Sequence, residues 1–213
     1  MYGSARVFRD RREAGRQLGE HMLAHRPEGE LIVLGLPRGG VPVAFEVAAA
    51  LHAPLDVLVV RKLGAPYNPE LAIGAIGPGG VIVLNHSIIE MLHVDDEELE
   101  RIRKRELAVL EARQKAYRGT KPALDVSGKT VVLVDDGIAT GATMFAAVRA
   151  LRALDVAHIV VAVPTSAPDA VRELERMGAA VEALSTPDPY VAVGAWYEHF
   201  DQTDDDEVVR LLA

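Results

Sequence analysis

The stretch Val131-Val-Leu-Val-Asp135-Asp136-Gly137-Ile138-Ala139-Thr140-Gly141-Ala142-Thr143 decides the reading of this chain. An apolar run ends in two adjacent carboxylates and passes into a small loop of glycine and threonine. A helical pattern follows from Ala142 to Leu154. That order spells a strand, a binding loop and a helix N-terminus. Backbone N–H groups at such a terminus point into the loop, and the helix dipole favours an anion there. Gly137 and Gly141 let the backbone approach a ligand closely, while Thr140 and Thr143 add hydroxyl donors. The loop reads as a phosphate cradle. Asp135 and Asp136 would repel a second phosphate, but they accept hydrogen bonds well from a vicinal diol. Cradle and diol clamp together describe a site for a ribose 5-phosphate.

The neighbouring elements alternate between strand and helix. Apolar runs at Leu31–Leu36, Leu55–Val60, Thr130–Val134, His158–Val163 and Ala180–Leu184 have the continuous character of strands buried on both faces. Helical patterns occupy Val41–Leu51, Ala142–Leu154 and Pro168–Met177, with Pro42 tolerated in a first turn. The expected fold is therefore α/β: a central, mostly parallel, twisted sheet flanked by helices. Leu71–Ile76 and Val81–Leu84, separated by Gly77-Pro-Gly-Gly80, predict a β-hairpin flap. A charged helix is predicted from about Asp95 to Tyr117. Its acids and bases at helical spacing (Glu97/Arg101, Glu100/Lys104, Glu111/Lys115) mark an exposed, salt-bridged face. That helix could instead pack on a partner subunit or on the mouth of the site, with Arg113, Tyr117 and Arg118 at its end.

Ligands of an open parallel sheet gather beyond the carboxyl ends of its strands, and two further strand ends carry polar chemistry. The first is Pro37-Arg38-Gly39-Gly40, a cation at a glycine-rich turn before a helix, placed for a second anion. Taken alone it reads more readily as a tight turn whose glycines only satisfy geometry. The second is Arg61-Lys62-Leu63-Gly64-Ala65-Pro66, adjacent cations followed by a flexible segment suited to a lid over a polyanion. Its bland alternative is an ordinary exposed basic pair. A Walker loop is excluded because no GxxxxGK[ST] occurs, and the dinucleotide fingerprint GxGxxG is absent too.

Composition narrows the classes further. At 213 residues the chain has room for one domain with a sizeable core and a small appendage. Although 49% of residues are hydrophobic, no run reaches the length of a membrane span. The N-terminal region, with Arg6, Arg9, Arg11, Arg12 and Arg16, has no apolar core of a secretory signal. The absence of cysteine fits a reducing compartment, so a cytoplasmic location is expected, with no membrane partner. A net charge of −8 and 5% aromatic residues argue against nucleic acid as a partner.

The segment Val131–Thr143 resembles the phosphoribosyl-pyrophosphate motif of the type I phosphoribosyltransferases: an apolar strand, two acids, then Thr-Gly-x-Thr. The resemblance reaches from Phe8-Arg-Asp-Arg11 to Trp196-Tyr-x-x-Phe200, and is strongest to a subgroup with Arg-Lys-Leu-Gly…Pro-Glu-Leu-Ala-Ile-Gly-Ala. It implies that Asp135 and Asp136 hold the ribose hydroxyls, and that Gly137, Ile138, Ala139, Thr140, Gly141, Ala142 and Thr143 hold the 5-phosphate. In the family the turn matching Pro37, Arg38, Gly39 and Gly40 binds pyrophosphate, often through a strained peptide near its glycine. The basic pair Arg61 and Lys62 would contact the same pyrophosphate. The implied reaction transfers ribose 5-phosphate from phosphoribosyl pyrophosphate to a nitrogenous base or amine. Mg2+ is the implied cofactor, held mainly by substrate oxygens with Asp135 and Asp136 nearby.

Residues 1–213 would form one such domain, with a small hood over the site from 1–20 and 186–203. Within the hood, Asp188, Tyr190, Trp196, Tyr197, His199 and Phe200 concentrate the few aromatics. Packing of Trp196 on the core is the equal alternative. A homo-oligomer, a dimer foremost, is the expected assembly. The other functional class is a non-catalytic regulator that senses phosphoribosyl pyrophosphate or nucleotides on the same fold. His21 and His25, four apart, read as a solvated helix face rather than a metal pair, and His158 reads as a structural strand residue.

Overall fold

The structure, a computed structural model, describes residues 6–123 and 125–213. In chain order its elements are α1 (Arg11–Ala24), β1 (Leu31–Gly35), α2 (Gly40–Leu51), β2 (Leu55–Val57), β3 (Arg61–Ala65), β4 (Asn68–Ile76), β5 (Ile82–Leu84), α3 (His86–Met91), α4 (Asp96–Arg118), β6 (Thr130–Val134), α5 (Ala142–Arg152), β7 (His158–Thr165), α6 (Pro168–Arg176), β8 (Ala180–Ser185) and α7 (Asp205–Leu211).

A five-stranded parallel sheet runs in the order β2-β1-β6-β7-β8. The pleat explains why its strands are apolar throughout, since alternate residues serve opposite layers. Ile32, Leu34, Val131, Leu133 and Val161 pack with Met144, Val148, Leu151 and Leu174 from α5 and α6. Leu31, Val33, Val132, Val134 and Val160 pack with Leu18, Met22, Val43 and Val47 from α1 and α2. Helix α1 comes unusually close to α2. A Cβ on Gly15 would lie 2.9 Å from the Cβ of Glu46, and one on Gly19 would lie 2.9 Å from the Cβ of Ala50. These two glycines set where the N-terminus of α1, and hence Arg11, sits over the sheet.

Strands β3, β4 and β5 form a separate antiparallel sheet. The expected hairpin is present as β4 and β5. The Arg61–Ala65 segment, expected as a flexible lid, is instead a strand, with Arg61 opposite Ile76 and Lys62 opposite Ala75. Leu63 and Ala65 alternate into the apolar layer beneath α4, a pattern too short to stand out beside two cations and a glycine. Helix α4 also departs from a simple exposed helix. Ile102, Glu106, Leu110 and Tyr117 are buried. Of the three expected ion pairs, Glu100–Lys104 forms at 3.6 Å, but Glu100 lies closer to Arg103 at 2.6 Å. Among the described residues no helix is long and apolar enough to cross a membrane.

Candidate active site

Strand β1 is hydrogen-bonded to β2 on one side and β6 on the other, so the chain order reverses between β1 and β6. Crevices at such reversals hold ligands in open parallel sheets. Both the 36–40 turn and the acid pair leave the sheet at this point. Leu36 N–H donates to the Val134 carbonyl at 2.9 Å, which binds the two loops together. The Pro37–Arg38 peptide is cis.

The acids pack directly on the glycines of the turn. A Cβ on Gly40 would lie 2.8 Å from the Asp135 Cα and 2.8 Å from the Val134 carbonyl oxygen. A Cβ on Gly39 would overlap Oδ2 of Asp136. Oδ1 of Asp135 accepts from the Asp136 N–H at 2.9 Å, while Oδ2 of Asp136 accepts from Arg11 Nε at 2.8 Å. One oxygen of each acid is thus directed by the protein. Burial, and then the neighbouring Asp136 charge, push the Asp135 carboxyl well above the usual carboxylate range. Burial also raises Asp136, against the pull of Arg11. Such a pair is built to accept hydrogen bonds from neutral donors such as hydroxyls, and it disfavours a further anion.

The cradle follows. Ile138 is buried; its N–H donates to the Thr165 carbonyl at 3.0 Å and its own carbonyl accepts from Ala167 at 2.8 Å. Its backbone therefore anchors the loop to the end of β7, and its N–H is already engaged within the protein. Gly141 carries a positive φ of 79° and N-caps α5 without a side-chain cap. Thr140, Ala142 and Thr143 are exposed around it. No side chain caps the first turn of α5, and N–H groups in such a place can serve an anion. Helix α2 likewise begins at Gly39 and Gly40 without a side-chain cap.

Beside the cradle lies a pocket of about 390 Å³, lined by Pro37, Arg61, Lys62, Arg113, Ala142 and Thr143 among others. Three cations from β3 and α4 thus face the end of the cradle and the start of the 37–40 turn. Arg61 also donates to the buried Glu106 carboxylate, from Nε at 2.8 Å and from Nη2 at 2.6 Å. Arg38 is exposed and lies near Tyr117 rather than in this pocket.

Over the acids, the two chain ends meet. Phe8 bridges Tyr197 in parallel register, and the Tyr197 hydroxyl donates to the Asp136 carbonyl at 2.5 Å. Arg11 Nη1 donates to the Asp201 carbonyl at 2.6 Å, and the guanidinium lies 3.9 Å from the Phe200 ring centre. Val193 and Tyr190 close on Gly137, where any Cβ would meet a methyl of Val193 at 2.6 Å. Burial lifts the Tyr190 phenol to about 12. Arg11 and Tyr197 thus reach Asp136 from the two ends of the chain, while residues 1–5 of the expected hood lie outside the described residues.

The structure brings together Asp135, Asp136, Gly39 and Gly40 as one group, and Arg61, Lys62, Ala142 and Thr143 as an adjoining one. Arg11 was not singled out as a site member by sequence reasoning, and Arg113 was offered only through the alternative that its helix packs on the mouth of the site. Arg11 lies 125 positions from Asp136 and stood among several arginines of a charged N-terminus. His21 meets Glu182 at 2.7 Å, and no group of three metal-ligating side chains occurs among the described residues. His158 is exposed at the first position of β7.

The sequence model of the family described as "Phosphoribosyl transferase domain" matches residues 12–181. A Mycobacterium tuberculosis H37Rv protein, provisionally named a phosphoribosyl transferase, is 47% identical over 207 residues, which is 97% of this chain and 46% of its own. Its counterpart in strain CDC 1551 matches equally. The chain spans about half the length of the curated relatives it matches. The crystal structure of TT1426 from Thermus thermophilus has a TM-score of 0.89 at 46% identity, with 97% of each chain covered. A hypothetical protein from Neisseria gonorrhoeae, crystallised with bound ppGpp, is alike in fold alone, with a TM-score of 0.50 at 14% identity.

Proposed function

The chain belongs to the phosphoribosyl transferase family, and from that membership we propose that it transfers ribose 5-phosphate from phosphoribosyl pyrophosphate to a nitrogenous base or amine, releasing pyrophosphate. The observation that carries this reading is the meeting of three complementary parts at one sheet crevice: a helix N-terminus without a side-chain cap, a half-buried acid pair and a pocket with three cations.

In the reaction, the bond from ribose C1 to the pyrophosphate oxygen breaks with its electron pair, and the lone pair of an incoming nitrogen forms the new bond. C1 passes through a state with oxocarbenium character. No covalent nucleophile is required of the protein. Thr140, Thr143 and the first-turn N–H groups of α5 hold the 5-phosphate. Asp135 and Asp136 accept from the ribose hydroxyls and place negative potential near C1 as it becomes positive. Arg61, Lys62 and Arg113 receive the growing charge on the leaving pyrophosphate, and the covering segments limit water.

With one oxygen of each acid already directed by the protein, Asp135 and Asp136 suit a magnesium ion held chiefly by substrate oxygens. When bound, that ion supplies positive charge to the pyrophosphate oxygens. A triply phosphorylated donor does not cross membranes unaided, which supports a cytoplasmic place of work. The test is pyrophosphate release from phosphoribosyl pyrophosphate with magnesium and a panel of purines, pyrimidines and amines. Release matched by an equal amount of N-ribosyl product supports transfer. Donor binding with no release for any acceptor would replace transfer with sensing.

A further inference from the structure

We propose that Thr165 and Ser185 are specificity-determining residues, and that the acceptor they select is an uncharged ring with carbonyl and N–H groups rather than a carboxylate. The proposal rests on the transfer reading above and names the acceptor class of that site. Among the described residues, five buried side-chain polar atoms lack a hydrogen-bond partner, and four of them gather in one place. They are Thr165 Oγ1, Ser185 Oγ, Tyr190 Oη and Trp196 Nε1. Thr165 and Ser185 stand opposite each other at the carboxyl ends of β7 and β8. Thr165 is fully buried and Ser185 is 3% exposed. Thr165 and Tyr190 both close on Gly137, the residue after the acid pair. A Cβ there would lie 3.0 Å from Thr165 Cγ2 and 3.2 Å from Tyr190 Oη. The Tyr190 ring in turn lies 5.8 Å from that of Trp196. The four atoms thus form one polar group that runs from the end of β8 to the wall of the donor site.

Buried polar atoms are paired as a rule, so four without partners at the ligand edge of a parallel sheet point to a molecule that pairs with them. Their chemistry selects it. The three hydroxyls can donate or accept, while the indole N–H only donates. Burial pushes the Tyr190 phenol up to about 12, so it keeps its proton at neutral pH. Such a set matches the carbonyl and N–H edge of an oxo-substituted heterocycle. It offers no positive charge to a carboxylate, and the neighbouring Asp135 and Asp136 repel one. Arg11, which also lies over the acids, is engaged by Asp136 and by the Asp201 carbonyl. A purely structural role makes a different demand. Hydroxyls that never meet a partner only weaken the fold, so Thr165→Val would then raise stability and leave every ligand unaffected.

Trp196 is the single tryptophan of the chain, so its emission reports on this place directly. The experiment titrates uracil, hypoxanthine and orotate into the whole chain with ribose 5-phosphate present, which fills the donor site and offers no pyrophosphate to displace. Wild type is compared with Thr165→Val, Thr165→Ser and Ser185→Ala. Binding of phosphoribosyl pyrophosphate with magnesium is measured beside them by calorimetry. Uracil or hypoxanthine should change the emission saturably. Orotate, which is uracil bearing a carboxylate, should bind about a hundredfold more weakly than the better of the two. Thr165→Val and Ser185→Ala should each weaken that better ring about tenfold and leave donor binding unchanged. Thr165→Ser, which keeps the hydroxyl, should bind like wild type. Wild-type affinity for the ring in both Thr165→Val and Ser185→Ala would overturn the proposal. So would orotate binding as tightly as either ring, or no change in emission with either ring while donor binding is intact. Failure of the wild type to bind the donor would instead defeat the transfer reading on which the proposal rests.

Discussion

Gly39 stands where any side chain would run into Oδ2 of Asp136. Its backbone, at φ −61° and ψ −29°, is one that every residue adopts, so the glycine is there for space rather than for conformation. Asp136 cannot simply swing aside, because Arg11 holds the same oxygen. Gly39→Ala should therefore disturb the acid pair more than the fold. Overpacking of this kind costs about 1–3 kcal/mol, and a donor affinity lower by roughly ten- to a hundredfold is expected. Titration calorimetry beside a thermal melt checks it. An affinity equal to wild type would show that Asp136 is not held where it appears.

Asp135→Asn should stabilise the protein. An acid whose carboxyl is pushed up in the folded state leaves stability whole below its unfolded value. It then subtracts from stability as pH rises toward the folded value. The variant should thus melt higher at neutral pH, by about 2–4 °C for each kcal/mol at this chain length. The gain should shrink as pH falls through the carboxylate range. A constant gain, or a loss, would contradict the raised carboxyl.

Arg61 serves Glu106 as well as the pocket. Burial raises the Glu106 carboxyl, but Arg61 and Arg105 outweigh it, and the net shift is downward. A lowered acid contributes stability above its unfolded value and loses it as pH falls through its folded value. Arg61→Ala should cost about 1–3 kcal/mol near neutral pH, discounted because Arg61 is 31% exposed. The cost should narrow toward acid, and Glu106→Gln in the same chain should recover much of it. Melting curves of the single and double variants at two pH values decide the point.

Lys62 lines the pocket with Pro37 and Thr143. Lys62→Ala should weaken phosphoribosyl pyrophosphate binding while leaving ribose 5-phosphate binding nearly unchanged. Equal losses for both ligands would remove it from the pyrophosphate side.

The parallel sheet and its crevice were legible in the sequence because Leu31–Gly35 and Thr130–Val134 are apolar at nearly every position, which only a doubly covered strand requires. The acid pair and cradle were legible because strand, acids, glycines and helix follow one another without interruption. Strand β3 was hidden, since its buried residues are only Leu63 and Ala65, while Arg61 shares their face to reach Glu106 and the adjacent cations suggested a lid. The donors within the cradle could not be sorted either: Ile138 reveals its anchoring role only through β7, which arrives later in the chain. Arg11 was hidden for a different reason. Its partner is set by the close packing of Gly15 and Gly19 on α2, and no local pattern records a contact made across the whole domain.

The most direct test of the central claim is calorimetric titration of phosphoribosyl pyrophosphate into the wild-type chain, with and without magnesium, and into Asp135→Asn/Asp136→Asn. The donor site at the β1–β6 crevice predicts magnesium-dependent binding to the wild type and its loss in a double variant that remains folded. Unchanged binding in the double variant, or none to the folded wild type, would contradict it.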